Sequence, residues 1–350
     1  MFGKNLTFYR LKENLDKKAL ANLVGLTTQA ISNYELGKRI PDMETIQKLA
    51  VALHVKTTDF LVVRNENLEF QHAEFRKQSK FSLKKQNLIK SIVEEYCSRF
   101  FDIVEFLGGD VLPNPPKIHT LQLAATEEES AIALRRHLNL ATVGPVLNLV
   151  GLLENQGILV LFHEMADSTF CGMNGTVNGR PYIIINRTMN NARVRTTLLH
   201  ELAHLMFVWP DTMPDSGGRE KLATSIAGAF LLPAIDTRRE LGLKRKRISN
   251  DMSAICDEYG VSMYLLAKRA RICNIISATA EKSFYIKANS MGWRTAEPER
   301  GPRENSSLFE QLVCRAVCED EISLQKGVEL LQIPVSDLMR RCNFSGGDVA

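Results

Sequence analysis

The chain has 350 residues, of which 45% are hydrophobic and 24% charged. That is more than one ordinary core and suits two or three soluble globular domains. The net charge of +4 excludes a polybasic chain, yet residues 1–65 hold ten Lys and Arg against six acids, and the other 285 residues balance. The positive excess therefore points to a polyanion met by the N-terminal segment. The seven Cys are scattered and form no CxxC pair, so thiols in a reducing cytoplasm are expected rather than a disulfide framework. Met1 to Asn5 opens no apolar leader, and no apolar run approaches membrane-spanning length. The expected location is the cytoplasm, with no membrane partner.

Residues 1–65 read as a string of short amphipathic helices. Ala19 to Val24 supplies one apolar helix, and Gly25 sits where a turn needs positive φ. Thr27 can cap the next helix, in which Ile31 and Tyr34 face inward while Thr28, Gln29, Ser32 and Asn33 face outward. Short amide and hydroxyl side chains near a helix N-terminus are what base edges in a major groove require. Gly37-Lys38-Arg39 offers two cations for phosphate, and Met43 to Leu53 forms a further helix. Leu20, Ala21, Gly25, Ile31, Ser32, Tyr34, Glu35, Gly37, Lys38, Pro41, Leu49, Ala50, Leu53 and Val55 make the segment resemble the Xre/Cro family of phage-type repressor domains. The resemblance implies a helix-turn-helix bundle on double-stranded operator DNA. Gln29 and Asn33 would read bases, Thr28 would lie near the DNA, and Lys17 and Lys38 would meet phosphate. Such domains also serve as dimerisation modules, so a homodimer is part of the expectation.

Residues 66–119 are expected to be a helical linker. A charged start, Glu66 to Lys85, gives way to Leu88, Ile89, Ile92, Val93, Tyr96, Phe100 and Phe101 at helical spacing. Asn114-Pro115-Pro116 marks a break.

Residues 120–275 alternate helices with short apolar runs. Ile158 to Phe162 and Tyr182 to Ile185 read as buried strands. Helices fit 127–140, 145–155, 192–208, 219–231, 249–258 and 262–271. Within the third of these lies His200-Glu201-Leu202-Ala203-His204. Histidines four apart share one helix face, so both imidazoles can reach one ion. Glu201 is offset and can serve as base to a water at the open metal position. Zinc makes such a water more acidic, and a carboxylate accepts its proton as it attacks a polarised carbonyl. Leu198, Leu199, Leu202, Ala203, Leu205 and Met206 mark the helix as buried. A third ligand is needed, and Glu220, in the first turn of the next helix, is the leading candidate. Asp211, Asp215 and His163-Glu164 are the alternatives.

Arg195, Thr196-Thr197, His200 to His204, Glu220 and Phe230-Leu231-Leu232-Pro233 resemble the ImmA/IrrE family of metallopeptidases. Gly144-Pro145, Leu152-Leu153-Glu154, Gly157 to Val160 and Tyr259 to Ser262 fit the same pattern. The resemblance implies a zincin-like domain that holds Zn2+ through His200, His204 and Glu220, with Glu201 catalytic. It also implies a protein substrate, a partner repressor or an antitoxin-like protein. Leu222 and Thr224 depart from the family, which usually has an acid and an Asn there. That departure bears on catalysis, because one hydroxyl would have to orient a ligand imidazole.

Residues 276–350 are expected to be a C-terminal helical segment. The Gly292 to Ser307 stretch reads as loop or linker, followed by two helices and a turn. The fold class expected is mainly α with a small β-sheet (α+β). The function expected is a DNA-binding regulator with a zinc-dependent endopeptidase centre. The alternative is a transcription factor, or a toxin–antitoxin or prophage module, whose zinc site senses or is a relic.

Overall fold

The computed structural model describes residues 1–65, 67–73, 81–210, 212–213 and 217–342. The chain divides into two compact units, one of Met1–Phe70, Ser79–Val111 and Glu310–Ala350, the other of Gln71–Gln78 and Leu112–Phe309. Helices dominate and the strands are few, so the class is mainly α with a small sheet.

The first unit begins with α1 (Phe2–Lys12), α2 (Lys17–Val24), α3 (Thr28–Glu35) and α4 (Met43–Ala52). Their starts are written in the sequence. Asp16, Thr27 and Asp42 each accept a backbone N–H from the third residue onward, which satisfies a donor that the first turn leaves open. Gly25 ends α2 with φ 69°, the left-handed conformation that glycine adopts without a Cβ penalty. Leu6, Leu20, Ala21, Ile31, Tyr34, Leu49, Leu53 and Phe60 close one core.

The long helix α5 (Leu83–Phe106) belongs to this unit and does not stand apart as a linker. It packs on α1 and buries Ile89, Val93, Cys97, Phe100 and Ile103 at intervals of three and four, an apolar stripe that needs a partner face. Three C-terminal helices complete the unit: α15 (Leu308–Cys318), α16 (Leu324–Leu331) and α17 (Val335–Cys342). A Cβ on Gly327 would lie 2.8 Å from both Leu338 and Val317, so only glycine lets these helices close so tightly. Gln332 and Arg99 tie α16 to α5.

The second unit holds β1 (Phe70–His72), β2 (Leu121–Gln122), α6 (Glu127–His137), α7 (Leu149–Asn155), β3 (Leu159–His163), β4 (Gly172–Val177) and β5 (Arg180–Asn186). Next come α8 (Asn191–Met206), β6 (Phe207–Val208), α9 (Gly218–Leu231), α10 (Ala234–Leu241), α11 (Ser253–Tyr259), α12 (Met263–Ile272), α13 (Ala278–Ser290) and α14 (Trp293–Ala296). The main sheet has the order β1-β4-β5-β3. β3 runs parallel to β5 with Leu159 opposite Tyr182, and β4 runs antiparallel to β5 with Asn174 opposite Ile183. α8 lies on β4 and β5 and against α9. The apolar runs expected as strands are β3 and β5. β4 was not expected, because Gly-Met-Asn-Gly-Thr-Val carries no apolar run. The helix expected over 192–208 stops at Met206, since Phe207 and Val208 pair in parallel with Leu121 and Gln122.

Gly292 to Ser307 is not a linker; it is bound to the second unit by buried carboxylates. Glu304 is 3% exposed, pairs with Arg195 and accepts the backbone N–H groups of Leu149 and Val150. Glu297 accepts from the Met263 N–H. The unit thus continues past the boundary expected at 275, to Phe309. Among the described residues no helix is long and apolar enough to cross a membrane.

Candidate functional site

α8 is held by its apolar side. Leu198, Leu199, Leu202, Ala203, Leu205 and Met206 are buried, which leaves His200, Glu201 and His204 at the half-buried boundary. Asn190 caps the helix by accepting from the Arg193 N–H. α9 approaches with Ala223 and Ala227 on its buried side, and side chains that small permit close helix contact. Glu220 and Thr224, one turn apart on α9, are carried to the two histidines.

The Nε2 atoms of His200 and His204 lie 3.2 Å apart. Glu220 sets Oε2 3.0 Å from His200 Nε2 and Oε1 3.4 Å from His204 Nε2. A tetrahedral zinc with ligand bonds of about 2.0–2.1 Å puts its donor atoms about 3.3 Å from one another. The two Nε2 atoms are spaced as two such donors would be, and Glu220 sets one carboxylate oxygen at a comparable distance from each of them. All three side chains are 14–17% exposed, so the cluster is reached by solvent from one side. Burial alone would push the Glu220 carboxyl up. Hydrogen bonds to both imidazoles, and their charge, overcome that and hold it well below the ordinary carboxylate range. Two imidazoles and an ionised carboxylate are a donor set that fits a divalent cation of the zinc type.

Thr224 settles the orientation of His200. Its hydroxyl donates to the Glu220 carbonyl, one turn back, at 2.9 Å. With the proton directed there, the oxygen is free to accept from His200 Nδ1, 3.1 Å away. A metal bound through Nε2 needs the proton of His200 on Nδ1, and the Thr224 oxygen stands where it would accept that proton. A threonine thus supplies the acceptor that the ligand needs, where an Asn was expected.

Two residues at the site had no marker in the sequence. Asn174, on β4 and 8% exposed, donates to Glu201 Oε2 at 2.7 Å. It lies in the strand that carries no apolar run, so nothing in the pattern singled it out. The Trp209 ring packs on His204 with centroids 5.3 Å apart and fixes it by contact. Among the alternatives for the third ligand, His163 ends β3, paired in register with Asn186. Neither His163 nor Glu164 joins the cluster that His200, His204 and Glu220 form among the described residues. Asp211 and Asp215 lie outside the described residues.

In the first unit, α3 exposes Thr28 and Gln29 and half-exposes Ser32 and Asn33. Gln29 Nε2 donates to Asn33 Oδ1 at 3.1 Å, so the two amides form one polar edge. Glu35 is buried beneath, paired with Arg10 at 2.5 Å. Lys17 reaches Ser32 Oγ at 3.1 Å and Glu35 Oε2 at 3.3 Å. Lys38 is exposed in the turn after α3.

Residues 8–60 match the model of the helix-turn-helix family. Residues 153–271 match that of the IrrE N-terminal-like domain, a peptidase family. The chain is similar to an SPbeta prophage-derived uncharacterized HTH-type transcriptional regulator, YonR, of Bacillus subtilis (strain 168). The two are 37% identical over 75 residues, 21% of this chain and 63% of the relative. This chain therefore spans less than two thirds of that relative's length. No solved structure matches the chain. The chain carries an N-terminal Xre-type helix-turn-helix domain followed by an IrrE/ImmA-like peptidase-family domain.

Proposed function

We propose that this chain is a DNA-binding transcriptional regulator that holds Zn2+ at His200, His204 and Glu220 and cleaves a partner protein. The partner proposed is a repressor or an antitoxin-like protein. The observation that carries the reading is the convergence of two imidazole Nε2 atoms and the Glu220 carboxylate at metal-ligand spacing, with Glu201, next in sequence to His200, outside that cluster. The relative's description as a prophage-derived regulator supports the DNA-binding half.

Held by His200, His204 and Glu220, Zn2+ would supply Lewis-acid polarisation of a peptide carbonyl and make a water more acidic. Glu201 would serve as the base that accepts a proton from the attacking water and as the acid that returns it to the leaving amine. Asn174 fixes one carboxylate oxygen by donating to Oε2, which leaves Oε1 for the water. Thr224 and Trp209 keep the two imidazoles in place. In the first unit, Gln29 and Asn33 present donors and acceptors to base edges, Thr28 stands beside them, and Lys38 meets phosphate. Lys17, tied to Ser32 and Glu35, supports α3 while lending its charge to the backbone contact.

Purified protein should hold one zinc per chain by elemental analysis. Substitution of either histidine by Ala should remove the metal, and Glu220→Ala should weaken it strongly, because only two neutral donors remain. Zinc-loaded protein is then incubated with repressors encoded beside it and the products are read by mass spectrometry. Glu201→Gln should keep the metal and lose cleavage at least ~100-fold, the usual size of a general-base contribution. Induction that survives Glu201→Gln but not His200→Ala would make the centre a sensor and remove the peptidase half of the proposal.

A further inference from the structure

The charge balance of residues 66–350 hides a local concentration. Between Arg238 and Arg247 stand six cations, Arg238, Arg239, Lys244, Arg245, Lys246 and Arg247, against one acid, Glu240. Two of the six are spent on the fold. Arg239 is bound to Asp236 and Glu240. Arg245 donates from Nε to the Leu241 carbonyl at 2.8 Å, pairs with Asp251 at 2.5 Å, and gives its backbone N–H to the Ile275 carbonyl at 2.8 Å. Those three bonds pin the loop after α10 at its middle. Arg238, Lys244, Lys246 and Arg247 are left exposed, and none of them is paired with an acid among the described residues.

We propose that this pinned basic loop is a second DNA contact, one that binds the phosphate backbone of duplex DNA without reading sequence. The inference rests on the DNA-binding reading of the first unit. Three cations without acidic partners on an anchored loop, Lys244, Lys246 and Arg247, with Arg238 in the last turn of α10 before it, retain their charge for an external polyanion and lose little conformational freedom on binding. Duplex DNA is the polyanion that the chain already meets through α3. Tethering in one chain raises the loop's effective concentration at neighbouring phosphates, so even a weak contact adds to the affinity. Lysine and arginine at such a surface position the protein and carry no sequence information. A peptidase-family domain held at DNA in this way would meet its substrate where that substrate is bound, if the substrate is itself a DNA-bound protein.

The test is fluorescence anisotropy of full-length protein on a 40-base-pair duplex of arbitrary sequence, across a salt series. Each phosphate contact contributes about 0.9 to the slope of log affinity against log salt. The triple variant Lys244→Ala/Lys246→Ala/Arg247→Ala should therefore lower the slope by roughly 2–3, with an unchanged melting temperature. Lys38→Ala is the companion, and should lower the slope by about 1 through the first unit. A triple variant with the parent slope, beside a Lys38→Ala variant with a reduced one, overturns the proposal and leaves the DNA-binding reading standing. Neither variant changing the slope overturns both. Leu243 and Ile235 are exposed close by, which a membrane surface would exploit. Sedimentation with anionic phospholipid vesicles that the triple variant abolishes, with an unchanged DNA slope, would assign the loop to lipid instead.

Discussion

Thr224→Val removes one oxygen and almost nothing else. Valine keeps the branched shape and the helix position, so the contact of α9 with α8 is preserved. What disappears is the acceptor 3.1 Å from His200 Nδ1, together with the hydroxyl's own bond to the Glu220 carbonyl. The imidazole then has no reason to keep its proton on Nδ1. Part of the population carries it on Nε2, where it blocks the lone pair aimed at the metal. Loss of such an orienting partner costs 10–100-fold in metal affinity, or about 1.4–2.7 kcal/mol. The assay is competition for zinc against a chromophoric chelator, with thermal unfolding of the metal-free proteins as control. Thr224→Ser, which retains a hydroxyl, should bind within a few-fold of the parent. Equal zinc affinity for the Val variant and the parent would refute the tautomer argument and would mean that packing alone orients His200.

The remaining predictions concern the DNA surface and the strap. Gln29→Ala or Asn33→Ala should cost roughly 1–3 kcal/mol at a cognate operator and relax its specificity; a footprint unchanged in the double variant would rule out α3 as the reading helix. Glu304→Ala should leave Arg195, 4% exposed, charged and without its buried carboxylate, and should unpair two backbone donors of α7. Breaking a buried pair costs about 3–5 kcal/mol, which for a unit of this size lowers the melting temperature by roughly 6–20 °C. Calorimetry that finds no shift would mean that water reaches Arg195 when the strap loses its carboxylate. Asn174→Leu should leave zinc affinity intact while slowing cleavage, because only Glu201 loses a partner; a matching loss of zinc would show instead that β4 supports the metal ligands.

What the sequence determined by itself is local. Helix caps at Asp16, Thr27 and Asp42, the positive φ at Gly25 and the buried face of α8 follow from residue chemistry within a few positions. So does the pairing of His200 with His204, because four residues make one helical turn. What only the tertiary structure decided is which distant residues share a space. The sequence named Glu220 among several acids, and its approach to the histidines depends on how α9 packs on α8. Thr224 read as a departure until its hydroxyl was seen between Glu220 and His200. Asn174 lies 27 positions from Glu201, in a strand whose pattern gives no sign of burial. The strap through Glu304 meets Arg195 across 109 positions, and its Gly, Pro and charge content looks like that of a linker. A carboxylate buried against an arginine carries no more trace in the sequence than one in water. Its environment is a property of the folded chain.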